Sequence, residues 1–127
     1  MIQHVAIWVS DLEKMKDFYV KYFNGVPNNL YHNKSTGFKS YFLTFSDNSK
    51  LELMQMPSVS EEKGSEKQFL GLAHIAFSVG SVEKVNQLTD LLIKDGCKLI
   101  SGPRTTGDGY FESCVLDPEL NRIELTV

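Results

Sequence analysis

An excess of charge of one sign is the first thing this chain lacks. Thirteen basic and 16 acidic side chains among 127 residues leave a formal charge of −3 and a pI near 5.6. No block of like charge gathers into a basic patch, so nucleic acid is excluded as a partner. No apolar run is long enough to span a bilayer, which excludes a membrane partner, and the first expected strand begins at Ile2, leaving no room for a signal peptide. A soluble cytoplasmic protein is the expectation. Cysteine is scarce: Cys97 and Cys114 fall in separate expected strands without CxxC spacing and read as small core or edge residues, not as a disulfide. Arginine is scarcer still, with only Arg104 and Arg122, and Trp8 is the one tryptophan. Nothing is low in complexity. The length and a hydrophobic fraction of 42% suffice for one domain with a sizeable core.

What the chain does contain is a repeat of itself. His4-Val5-Ala6-Ile7-Trp8-Val9 returns as His74-Ile75-Ala76-Phe77-Ser78-Val79, 70 positions on. Both copies run into an expected helix, and Leu12, Met15, Phe18 and Tyr22 meet Val82, Val85, Leu88 and Leu92 at the same offset, which is a helical stripe. Asn24-Gly25 and Asp95-Gly96 close the helices, with Gly as the left-handed cap. Lys50-Leu51-Glu52-Leu53 then returns as Arg122-Ile123-Glu124-Leu125 at an offset of 72, a slip of two loop residues. The chain thus reads as one domain over 1–127, built from module one (1–56), a linker (57–70) rich in Ser, Glu, Lys and Gly, and module two (71–127).

The elements follow in order. A strand over Ile2–Val9 puts His4, Ala6 and Trp8 on one face and Val5, Ile7 and Val9 on the other. Ser10 with Glu13 forms a capping box for a helix over Leu12–Phe23. Short strands follow near Leu30–His32, Phe38–Phe45 and Lys50–Met56. Module two has a strand at Leu72–Val79, a helix at Val82–Lys94 capped by Ser81, and strands at Cys97–Ser101, Tyr110–Leu116 and Arg122–Val127. Gly102–Gly109 is a loop, and Asp117–Asn121 is a turn with Pro preset at its second position.

His4, Glu52, His74 and Glu124 carry whatever chemistry the sequence holds. Each stands in a strand among apolar neighbours, on the face opposite the core. Two imidazoles and two carboxylates form a mixed N/O set suited to a borderline divalent ion, with no thiolate. Singly, each residue reads as a satisfied His or a solvated Glu. Recurrence at the equivalent place in both modules brings a ligand set level with that bland reading. Arg122 shares a face with Glu124 and can meet an anionic substrate group, Arg104 lies in a Gly-rich loop able to fold over a ligand, and both also read as solvated surface charges. Trp8, on the His4 face, either floors a pocket or packs in a module or dimer interface.

This pattern resembles the vicinal oxygen chelate superfamily, which holds glyoxalase I, epimerases, fosfomycin-resistance transferases, extradiol dioxygenases and bleomycin-binding proteins. The resemblance covers the whole chain. It implies an α+β fold of two tandem βαβββ modules, forming a curved mixed sheet around a metal-binding cleft, with the first and fourth strands of each module side by side. The full His, Glu, His, Glu set is most similar to glyoxalase I, and His4, Glu52, His74 and Glu124 match its ligands one by one. The tail Asp117–Leu125 resembles the family's closing motif, with Leu120 where Gly is usual. Dioxygenases and fosfomycin transferases use two His and one Glu, and epimerases usually carry Gln at position 52, so Glu52 argues against all three. The resemblance departs at Trp8, where glyoxalase I carries an Arg that holds the glutathione carboxylate.

The resemblance implies one divalent ion per site, Zn2+ or Ni2+, and a glyoxalase I-like lyase or isomerase acting on a hemithioacetal of methylglyoxal or a related small oxo compound by enediolate proton transfer. Glu124 or Glu52 would be the base. A homodimer is implied too, with the ligand set within one chain or shared between two. Two other readings stand beside it: a thiol transferase or epimerase of the same superfamily, and a binding protein that sequesters a ligand without turnover.

Overall fold

Each helix carries apolar residues three and four positions apart, and each lays that stripe on a sheet within its own half of the chain. The computed structural model describes residues 2–59 and 71–127. The chain divides into two compact units, Met1–Glu62 and Lys63–Val127. Unit one runs β1 (Val5–Trp8), α1 (Leu12–Phe23), β2 (Val26–Pro27), β3 (Tyr31–His32), β4 (Lys39–Thr44) and β5 (Lys50–Gln55). Unit two runs β6 (Ile75–Ser78), α2 (Val82–Lys94), β7 (Leu99–Thr105), β8 (Phe111–Leu116) and β9 (Arg122–Thr126). This is the expected α+β architecture, with β2 as a two-residue addition to unit one. Of the expected linker, Pro57–Val59 is described, with Val59 N–H donating to Met56 O at 3.0 Å; residues 60–70 lie outside the described residues. Among the described residues no helix is long and apolar enough to cross a membrane.

The two sheets share one plan. In unit one β1 pairs in parallel with β5, and the order is β1-β5-β4-β2 with β3 also on β4; in unit two it is β6-β9-β8-β7, with β6 parallel to β9. First and last strands therefore lie side by side in both. One face of each sheet is covered by its helix: Leu12, Met15, Phe18 and Tyr19 of α1 are buried, as are Leu43, Leu51 and Leu53. Val85, Thr89 and Leu92 of α2 are buried with Val115, Ile123 and Leu125. Position 19 and its counterpart 89 were not in the expected stripe, which instead held Tyr22, Leu88 and an exposed Val82. Thr89 enters the core because its hydroxyl is satisfied there, donating to Val85 O at 2.6 Å and pairing with Ser113 Oγ at 2.6 Å.

Several boundaries differ from the expectation, each for a local reason. The parallel ladders begin at Val5↔Leu51 and Ile75↔Ile123, so Ile2 to His4 and Leu72 to His74 precede their strands. The cap of α1 is Asp11, not Ser10: its carboxylate accepts from Lys14 N–H at 3.0 Å. Glu13 is drawn away instead, accepting from Tyr41 Oη at 2.7 Å and Lys16 Nζ at 2.6 Å. The left-handed residue closing α1 is Asn24 (φ 56°) and not Gly25, whereas after α2 it is Gly96 (φ 97°). Cys97 lies outside any strand, and β7 instead runs on through Gly102 and Pro103 to Thr105, where a loop was expected. Gly102 permits this, because at φ 80° a Cβ there would sit 2.5 Å from Glu112 O. Neither Cys97 nor Cys114 is in a disulfide.

The turn feeding each last strand is also repeated. Phe45–Ser49 and Asp117–Asn121 are closed by the same two backbone bonds, Phe45 N–H to Ser49 O (3.0 Å) with Asn48 N–H to Phe45 O (2.9 Å), and Asp117 N–H to Asn121 O (2.9 Å) with Leu120 N–H to Asp117 O (3.0 Å). The left-handed position is Asn48 (φ 66°) in the first and Leu120 (φ 68°) in the second. Asn tolerates that conformation; a bulky Leu is strained in it. Asp117 compensates by accepting from the backbone N–H of Glu119 and Asn121, each at 2.9 Å. Leu120 is also 43% exposed, so little packing offsets the strain. Leu120→Gly is therefore expected to stabilise unit two by about 1 kcal/mol, after the loss of chain entropy is counted. Thermal unfolding checks this: a melting temperature a few degrees higher is the expected result, and a lower one contradicts the strain.

Candidate functional site

In unit one the parallel register sets Ala6 opposite Glu52, so the residue before β1, His4, lies diagonally beside Glu52 on the same face. His4 Nε2 stands 3.5 Å from Glu52 Oε2. In unit two Ala76 faces Glu124, and His74 Nε2 stands 3.1 Å from Glu124 Oε2. The sequence builds this arrangement twice by one rule: a small Ala flanked by His two residues earlier, laid against a Glu between two core residues. Glu52 sits between Leu51 and Leu53, and Glu124 between Ile123 and Leu125, all four of these buried. The carboxylates are thereby held by the strand while their heads remain partly open, with 13% and 20% of the side chains exposed.

The surroundings of His4 fix its ring. Its Nδ1 hydrogen-bonds Gln3 Oε1, and its ring packs edge-on against Phe42 at 5.1 Å. Gln3 Oε1 can only accept, so Nδ1 donates to it and Nε2 is the ring atom turned toward the Glu52 carboxylate. An imidazole nitrogen facing a carboxylate can share a cation with it, a proton or a metal ion. The distances, 3.5 and 3.1 Å, accommodate either. Adjacent ligands of a first-row ion, each at about 2.0–2.2 Å, are separated by roughly 2.8–3.6 Å between octahedral and tetrahedral angles, and both His–Glu separations lie in that range. A metal-ligating His ordinarily donates its other ring N–H to an acceptor, the part Gln3 plays here. The candidate ligands come together as these two pairs; no group of three or more His, Cys, Asp or Glu capable of holding a metal is gathered among the described residues.

Other candidates are placed less uniformly. Arg122 shares the Glu124 face by register, as does Cys114, which lies directly opposite Glu124. Burial pushes the Cys114 thiol up, with the neighbouring Arg122 guanidinium acting against that shift. Arg104 is not in a flexible loop: it belongs to β7, opposite Glu112, with Nη1 3.9 Å from that carboxylate. Trp8 lies on the Glu52 face opposite Met54 and meets Phe38 edge-on at 6.2 Å. Gln3, Phe42 and Cys114 were missed from the sequence. Strand alternation alone would have found Phe42 and Cys114, both directly opposite a candidate Glu.

A profile of the Glyoxalase/Bleomycin resistance protein/Dioxygenase superfamily matches residues 1–125. The chain belongs to this superfamily. Among its relatives is the uncharacterized protein YqjT of Bacillus subtilis (strain 168), 26% identical over 127 residues, covering 98% of this chain and 96% of YqjT. A glyoxalase family protein from Enterococcus faecalis shares the fold at a TM-score of 0.80 with 25% identity, covering 100% of this chain and 97% of that one. The fosfomycin resistance protein FosX from Listeria monocytogenes, in a structure complexed with Mn(II) and sulfate, shares the fold at a TM-score of 0.73 with 20% identity, covering 100% and 91%.

The two thiols give a direct check on the face described for unit two. Cys114 is buried with a raised pKa, and Cys97 is only half-buried. In native protein at neutral pH, dithionitrobenzoate is expected to titrate Cys97 well before Cys114. Equal rates would contradict the burial of Cys114 against the Glu124 strand.

Proposed function

We propose that the chain is a metal-dependent, glyoxalase I-like lyase or isomerase in which His4, Glu52, His74 and Glu124 ligate one divalent ion. The observation that carries this reading is the duplicated His–Glu pair, set in the same register in both units at 3.5 and 3.1 Å. Zinc and nickel suit the N/O donor set, and manganese, present in the FosX structure, is a third ion to test.

The substrate is a hemithioacetal of a small oxo compound, carrying oxygens on neighbouring carbons. When bound, the ion supplies Lewis-acid polarisation of the carbonyl and offsets the negative charge of the enediolate. The protein's own residues move the proton. Glu124 takes it from the carbon bearing the hydroxyl and sulfur and returns it to the adjacent carbon, while the hydroxyl proton passes from one oxygen to the other, so the thioester product is an isomer of the substrate. Glu52 is the second carboxylate for this transfer, on the other side of the substrate. His4 and His74 would each offer a ring nitrogen to the ion, with Gln3 orienting the first ring. Arg122 binds an anionic substrate group from the Glu124 face, and Arg104 is the second cation for that role. The chain acts as a homodimer.

The test begins with metal content of protein purified without chelator. Turnover of methylglyoxal is then measured with glutathione and with other thiols, after reloading zinc, nickel or manganese. About one ion per chain with turnover supports the reading, and an ion without turnover moves the site to another reaction of the superfamily. Failure to bind any ion after reloading leaves a ligand-sequestering module. Glu124→Gln is expected to lower kcat by about 10²–10⁴-fold while weakening metal binding much less. Equal loss of both removes Glu124 as the base.

A further inference from the structure

Trp8 is the only tryptophan in the chain, and 43% of it is exposed although it stands on a sheet face. It lies two residues along from Ala6, the register partner of Glu52, and so about 7 Å from that carboxylate's place on the sheet. Met54 is directly opposite it, Phe38 meets the indole edge-on at 6.2 Å, and Tyr31 lies 6.0 Å from Phe38. Ser40 pairs with both Met54 and Tyr31, which assigns all of these side chains to the Glu52 face. Among the described residues the charged and ionisable groups of that face, His4, Lys50 and Glu52, stand toward its other end, and the Tyr31 phenol is the titratable group at this one. Among the described residues, the face from Trp8 outward carries aromatic rings, a thioether and the hydroxyls of Ser40 and Tyr31, and no charged side chain.

We infer that Trp8, Phe38 and Met54 set the substrate specificity of the candidate site, accepting an uncharged and apolar, preferably planar, substituent on a substrate whose oxygens are held at the His–Glu set. The inference rests on the metal-site reading above and narrows its substrate class to aryl or branched-alkyl oxo compounds and their adducts with uncharged thiols. Physical chemistry gives the direction. An ionic group placed over this end loses water and finds no partner, while a flat ring gains both buried area and edge or face contact with the indole. The contiguity of an apolar aromatic wall with a few convergent polar groups is the usual make-up of a small-molecule site.

The test uses full-length, zinc-reloaded protein and three hydroxamates, which present two neighbouring oxygens as the substrate does. Acetohydroxamate, benzohydroxamate and para-carboxybenzohydroxamate are titrated by calorimetry, with emission of the single tryptophan followed in parallel. Benzohydroxamate is expected to bind at least about tenfold more tightly than the other two and to shift Trp8 emission. In Trp8→Ala, and in Trp8→Leu as a variant that keeps apolar volume, the preference is expected to fall to within about twofold while metal content is retained. Equal affinity for all three, with emission unmoved, overturns the inference and leaves the metal site standing. Binding of none of them overturns both. Emission that responds to protein dilution and not to hydroxamate assigns Trp8 to an interface between copies and overturns the inference as well.

Discussion

The parallel pairing of first and last strand within each unit is the constraint on which the rest depends. Ala6↔Glu52 and Ala76↔Glu124 are register facts of the backbone, fixed by the ladders from Val5↔Leu51 and Ile75↔Ile123. Because side chains alternate along a strand, a slip of one residue would send each Glu into the core and each buried Leu or Ile to the open face. Leu51, Leu53, Ile123 and Leu125 are all buried under their helices, so the hydrophobic core itself locks the register that sets His beside Glu. The chemistry of the open face is in this sense specified by the packing of the other.

The duplication explains why so much was legible. Both helices were located to the residue, because the stripe, the Ser81 cap and the breakers at Asn24 and Asp95 agree with one another. The adjacency of His4 with Glu52 and of His74 with Glu124 is what the family resemblance implies, and the structure sets the pairs 3.5 and 3.1 Å apart. What the sequence hid is mostly tertiary. Nothing local says that Thr89 is buried, since that depends on Ser113 from β8 offering it a hydroxyl partner. The extension of β7 through Gly102 was invisible for the opposite reason: Gly followed by Pro reads as a loop, and only close approach to Glu112 O shows the glycine serving a bulge. Arg104 changed its meaning with that extension, from a residue on a loop to one paired with Glu112.

The two units have also diverged where their shared plan tolerates it. The left-handed turn residue is Asn48 in one and Leu120 in the other, and the second copy braces its strain with the Asp117 carboxylate. On the candidate face, Trp8 and Phe42 in unit one correspond to Ser78 and Cys114 in unit two, so one half presents rings and the other small polar groups with Arg122 nearby.

The most direct test of the central claim is X-ray absorption at the nickel edge of nickel-loaded protein. One ion per chain is expected, with two imidazoles and otherwise oxygen ligands in its shell, and with loss of one imidazole in each of His4→Gln and His74→Gln. A shell without imidazole, or one unchanged by either substitution, would contradict the assignment of both His–Glu pairs to a common metal.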